Sequence, residues 1–105
     1  MAVHKITDDD FRNLIKENEK VVVKFFANWC GSCKLIAPKY KRMSEEDTYR
    51  GIYFAEMNAE ENPQTRQDVA VNNLPFFATF KGGKLVSSSP TSKKEKIQSM
   101  IEELV

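Results

Sequence analysis

The chain has 105 residues, enough for one domain around a single core. Its 16 basic side chains nearly balance 15 acidic ones, so the formal net charge is +1, with 41% hydrophobic residues. That balance gives no electrostatic reason to expect nucleic acid or a membrane surface as partner, and no apolar run approaches the roughly 18 residues of a membrane span.

MAVHKITDDD at the start lacks the pattern of a secretory signal and IEELV at the end is no retention signal, so a cytoplasmic protein is expected. In a reducing compartment the two cysteines are more readily reactive than structural. A short first strand is predicted over Val3–Ile6. Thr7 with Asp10 reads as a capping box, and Asp8–Asp10 suit the positive end of a helix that continues through Phe11, Leu14, Ile15 and Asn18. Val21–Ala27 is nearly continuous in apolar residues, as in a central strand covered on both faces. Lys24 interrupts it. A second helix is predicted from the cysteines to about Glu46, kinked by Pro38.

Gly51–Asn58 reads as another strand, and Asn62-Pro63 as the N-cap and first residue of a short helix. Phe76–Phe80 and Lys84–Ser88 flank Gly82-Gly83, a hairpin signal. Ser92 with Glu95 suggests a second capping box, followed by Ile97, Met100, Ile101 and Leu104 at helical spacing. The order β-α-β-α-β-α-β-β-α predicts an α/β fold, a mixed sheet with helices on both faces.

The chemistry lies in Trp29-Cys30-Gly31-Ser32-Cys33-Lys34. A C-x-x-C pair after a core strand and at a helix start is a strong dithiol signal. Unpaired N–H groups and partial positive charge at the helix start would stabilise a thiolate at Cys30. Cys33, one turn inside, is expected to be the more buried, and Gly31 to permit a tight turn and close approach of another backbone. A zinc site needs about four ligands, whereas this chain offers two cysteines and only His4. A structural disulfide closing so short a loop would contribute only about 2 kcal/mol.

These residues resemble the thioredoxin family over nearly the whole chain: FFANWCGSCKLIAP, NAEENPQTRQDVAV, the Leu74-Pro75 pair and FKGGKLV. The resemblance implies a single thioredoxin domain over residues 1–105, with Cys30 as attacking thiolate and Cys33 as resolving thiol. It implies a cis-proline at Pro75 that turns the Leu74 backbone towards substrate, and a docking surface formed by Trp29, Gly31, Ser32, Leu74 and Pro75. It further implies reduction of disulfide-containing proteins by a monomer that a thioredoxin reductase regenerates. NADPH would enter only through that reductase, and no metal or organic cofactor is expected. FFANWCGSCKLIAPKY also resembles protein disulfide isomerase domains, which are a rival; a docking module with incidental cysteines is another.

The Lys24 position usually holds a buried aspartate in that family, and the Glu56 position a lysine. The pair is thus exchanged here. Strand alternation puts Val22, Lys24 and Phe26 on one face and Ile52, Phe54 and Glu56 on one face. Glu56 is the expected proton acceptor for the resolving thiol, with Lys24 positioning it. An uncharged Lys24 as base, or a Lys24 that snorkels to solvent without a catalytic part, are the alternatives. Ser32 replaces the usual proline and offers a hydroxyl to a sulfur, from which a more oxidising couple is expected. Phe76 stands where threonine is frequent, and enlarges the groove's apolar surface unless it turns into the core. Ser87–Ser92 is read as a loop lacking the family's glycine.

Overall fold

The structure, a computed structural model, describes residues 2–105. The elements are β1 (Val3–Lys5), α1 (Asp8–Glu17), β2 (Lys20–Phe26), α2 (Gly31–Ser44), β3 (Tyr53–Asn58), α3 (Pro63–Val69), β4 (Phe76–Lys81), β5 (Lys84–Pro90) and α4 (Lys94–Glu102). Their order is the expected one, with an unforeseen 3-10 turn at Asp47–Tyr49 before β3. The sheet runs β1-β3-β2-β4-β5, with β1, β3 and β2 parallel and β4 and β5 antiparallel to their neighbours.

β2 lies in the centre, and its alternation divides the core. Val21, Val23 and Phe25 enter a layer with Leu14 of α1 and Val69 of α3. Val22 enters the other, with Ile36, Tyr40 and Met43 of α2 and Ile97, Met100 and Ile101 of α4. Such a strand is apolar on both faces because helices cover both. The Tyr40 hydroxyl fastens α2 to the sheet, 3.0 Å from the Val22 carbonyl and 2.9 Å from that of Ala55. Burial, reinforced by the nearby Glu56 carboxylate, pushes the Tyr40 phenol well above its ordinary range, although its bond to Ala55 acts the other way. It therefore serves as a neutral donor.

The helix starts only partly follow the sequence signals. Asp10 accepts from the Thr7 backbone N–H and hydroxyl, both at 3.1 Å, as expected of the first box. Asn62 is the N-cap of α3 but does not cap it with its side chain. Asp8 does so from α1, accepting from the Gln64 N–H at 3.1 Å and the Thr65 N–H at 2.9 Å. Asn62 answers by accepting from the Asp8 N–H at 2.8 Å and donating to the Asn58 carbonyl. The expected Ser92–Glu95 box does not form. Lys93 is the N-cap of α4, and its N–H bonds the Thr91 hydroxyl at 3.1 Å. β5 accounts for that shift. It continues to Pro90, two residues past the expected Ser88, so Ser89 and Pro90 belong to the strand rather than to a loop, and only three residues remain before α4.

At the other end of β5, Gly82 and Gly83 form the expected turn with φ of 60° and 80°. Positive φ at both central residues is what a two-residue hairpin of type I′ requires.

Candidate active site

β2 ends at Phe26, and the chain crosses the top of the sheet to enter α2 at Gly31. Cys30 is the N-cap of that helix, and its Sγ accepts the Cys33 backbone N–H at 3.2 Å. Cys30 and Cys33 form a disulfide with Cα atoms 5.3 Å apart, within the range such a bond spans. The sulfur acceptor at Cys30 is thus met by a helix-end amide, as anticipated, and not by the Ser32 hydroxyl. Ser32 is exposed and lines a groove beside the pair. The two cysteines differ little in burial, at 5% and 3%, so the expected contrast is slight in the oxidised form. Gly31 is not required by backbone conformation. Its added Cβ would meet nothing within 4 Å, so open space in front of it is what the structure offers.

The Leu74–Pro75 peptide is cis, as the resemblance implied. Leu74 packs against Ala27, Cys30 and Cys33. Ser32, Asn73, Leu74, Pro75, Thr91 and Ser92 line a groove of about 230 Å³ with Pro90. The Pro75 carbonyl accepts the Thr91 N–H at 3.1 Å, which ties the groove's two walls together. Phe76, by contrast, turns away. It is 3% exposed and meets Phe25 edge-on in the layer beneath α1 and α3, because the strand alternation that starts at Pro75 sends it there. It therefore adds nothing to the groove.

Trp29 is 68% exposed, and its Nε1–H donates to Glu60 at 2.7 Å. Glu60 escaped the sequence reading because the loop after β3 brings it there. Leu35 also escaped it, and is 78% exposed beside Ser32 and Lys39. A signal for Leu35 was present: it falls out of phase with Cys33, Ile36, Tyr40 and Met43, the buried stripe of α2.

Lys24 and Glu56 are opposite one another in the β2–β3 register, and Lys24 Nζ lies 3.3 Å from Glu56 Oε1. Lys24 is buried and does not snorkel, with its ammonium 5.5 Å from the centres of the Phe26 and Tyr40 rings. Glu56 keeps 28% of its side chain exposed. Both line a pocket of about 420 Å³ together with Cys33, Ala27 and Lys34. The exchanged pair and the inner cysteine thus line one pocket.

Two sulfurs joined at a helix start, next to an open groove, can accept two electrons from a dithiol and, once reduced, pass them to another disulfide. That chemistry defines a thiol–disulfide oxidoreductase. The family model for Thioredoxin matches residues 2–103, and the chain belongs to the thioredoxin family. It is 35% identical over 102 residues to Thioredoxin-2 of Pyricularia oryzae, covering 96% of this chain and 58% of that protein. It is 31% identical over 104 residues to the mitochondrial Thioredoxin-3 of Saccharomyces cerevisiae, covering 94% of this chain and 80% of that one. Among solved structures, the ferredoxin:thioredoxin reductase and thioredoxin f2 complex contains a similar chain, with a TM-score of 0.90, 28% identity and coverage of 97% and 94%. Among the described residues no helix is long and apolar enough to cross a membrane.

Proposed function

We propose that this chain reduces disulfides in other proteins and is itself regenerated by a thioredoxin reductase, which alone handles NADPH. The redox group is the Cys30–Cys33 pair, with no metal or organic cofactor. The observation that carries this reading is the Cys33 N–H directed at Cys30 Sγ at 3.2 Å, in a helix start that opens onto the Ser32–Leu74–Pro75 groove.

A partner's disulfide docks against Trp29, Gly31, Ser32 and the Leu74-Pro75 backbone. The Cys30 thiolate attacks one sulfur, forming a mixed disulfide and expelling the partner's other sulfur as thiolate. Cys33 then gives its proton to the Glu56 carboxylate across the pocket they share, and attacks Cys30 Sγ. The second partner sulfur leaves. Two electrons have passed to the partner, and the Cys30–Cys33 disulfide has reformed. Lys24 positions Glu56 and balances its charge. A reducing compartment suits this direction, and we place the protein in the cytoplasm as a monomer.

Reduction of insulin disulfides in the presence of a reductase tests the cycle. The parent protein is expected to turn over, Cys30→Ser to be inactive, and Cys33→Ser to hold partners covalently on Cys30. Turnover by Cys30→Ser would overturn the assignment. For Glu56→Gln, shown to be folded by circular dichroism, the pH profile of the resolving step is expected to move; an unchanged profile removes Glu56 as proton acceptor.

A further inference from the structure

The overall charge of +1 conceals a segregation beside the redox pair. The exposed face of α2 carries Lys34, Lys39, Lys41 and Arg42, and α2 contains no carboxylate. Helical spacing arranges them in two adjoining stripes, Lys34-Pro38-Lys41 and Leu35-Lys39-Arg42. Lys93 and Lys94, exposed at the start of α4, extend the same charge beyond the groove that Ser32, Leu35, Lys39 and Ser92 line. The ion pairs among the described residues are Lys24–Glu56 and Arg50–Asp47, so none of these six cations has a carboxylate within 4.0 Å. Asp8–Asp10 lie in the first turn of α1, and Glu60 and Glu61 on the Trp29 side. Nearer carboxylates are Glu45 and Glu46 just past the end of α2, Glu95 next to Lys94, and Glu56, which lines a pocket with Lys34 and Lys41 but is paired with Lys24.

We infer that the exposed face of α2 is a docking surface for an acidic segment of the protein whose disulfide is attacked. Ser32, Leu35 and Lys39 line one groove, which gives a chain leaving a sulfur at Cys30 on the α2 side a path towards Lys39. Lys39 lies six residues beyond Cys33, about 9 Å along the helix axis, comparable to the Debye length of about 8 Å at physiological salt. Its charge, with that of Lys34, therefore acts on a segment already held at the site. Leu35, 78% exposed within the same face, favours a protein segment with an apolar residue over a polyanion such as nucleic acid. This inference rests on the reductase reading and names the partner's chemistry.

The test uses three small ring disulfides that differ only in a short tail of glutamate, glutamine or lysine. Cys30 can attack either ring sulfur, so the tail can lie along α2. At low salt kcat/KM is expected to be about tenfold higher for the glutamate tail than for the lysine tail, and the ratio to shrink towards unity at high salt. In the Lys34→Glu/Lys39→Glu double variant the order is expected to invert. The ratio is internal to each variant, so a changed thiolate reactivity does not affect it. Equal rates for the three tails in the parent protein overturn the inference and leave the reductase reading standing. Reduction of none overturns that reading and the inference with it.

Discussion

The two layers on either side of β2 handle polarity differently. Beneath α1 and α3, Val21, Val23 and Phe25 meet an apolar layer, and the polar groups nearby belong to the helix ends that Asp8, Asn58 and Asn62 tie together. Beneath α2, the same strand sends Val22 into an apolar layer but places Lys24 one step further on. That charge lies where the layer opens into the pocket beside Cys33, and Glu56 meets it there. A charge on a central strand is thus tolerable at the catalytic end of one layer and nowhere in the other. A buried ion costs several kcal/mol unless a partner compensates it, and only the open end supplies one.

Val23→Asp should break the comparison most severely, since Val23 is fully buried among apolar side chains with no cation facing it. A loss of about 4 kcal/mol is expected in urea unfolding, or no folded protein at all. A loss as small as that of a surface change would show the layer to be wetter than described. On the other side, Glu56→Gln leaves the buried Lys24 ammonium without its partner and should cost about 3 kcal/mol. Lys24→Met leaves a partly exposed carboxylate and should cost only about 1 kcal/mol. Replacing both with methionine should return stability to within about 1 kcal/mol of the parent. Equal losses for the two single variants would mean that depth does not govern the pair.

Asp8→Ala probes the polar seam of the opposite layer and should cost about 1 kcal/mol at neutral pH. Partial burial opposes ionisation of Asp8, but the Thr65 hydroxyl and the Thr65 and Gln64 N–H groups together hold its carboxyl below the ordinary 3.8. Its contribution is therefore complete above that ordinary value and fades as pH falls through the lower folded-state value. Parent and Asp8→Ala should converge in acid; a constant gap would exclude the carboxylate as its source. The smallest effect belongs to Arg50→Ala. Arg50–Asp47 is shorter than Lys24–Glu56, at 3.1 Å against 3.3 Å, but its side chains are 74% and 89% exposed. Water already solvates both ends, and the change in stability should stay below about 0.5 kcal/mol.

Much of the site was legible in local sequence. The C-x-x-C spacing and the strand before it put Cys30 at a helix start without any knowledge of the rest of the fold. The resemblance to the family aligned Lys24 with Glu56, and strand alternation was consistent with it; the register that sets them opposite one another is a property of the assembled sheet. Phe76 was ambiguous for the same reason: alternation relates it to Pro75 but does not say which face is the groove. The Ser92–Glu95 signal failed because a capping motif competes with strand pairing, and β5 drew its residues as far as Pro90 into the ladder. Trp29's partner was invisible, since the loop after β3 delivers Glu60 from 31 positions away.

By itself the amino-acid order determined which segments are strands and helices and where the dithiol sits, because apolar periodicity, turn glycines and the C-x-x-C spacing act over a few neighbours. Only the tertiary structure decided that Asp8 caps α3, that Lys24 stays buried beside Cys33, and that the cations of α2 form no ion pair among the described residues. Those outcomes depend on which elements lie side by side, and solvation and charge pairing are properties of that arrangement rather than of any one stretch of chain.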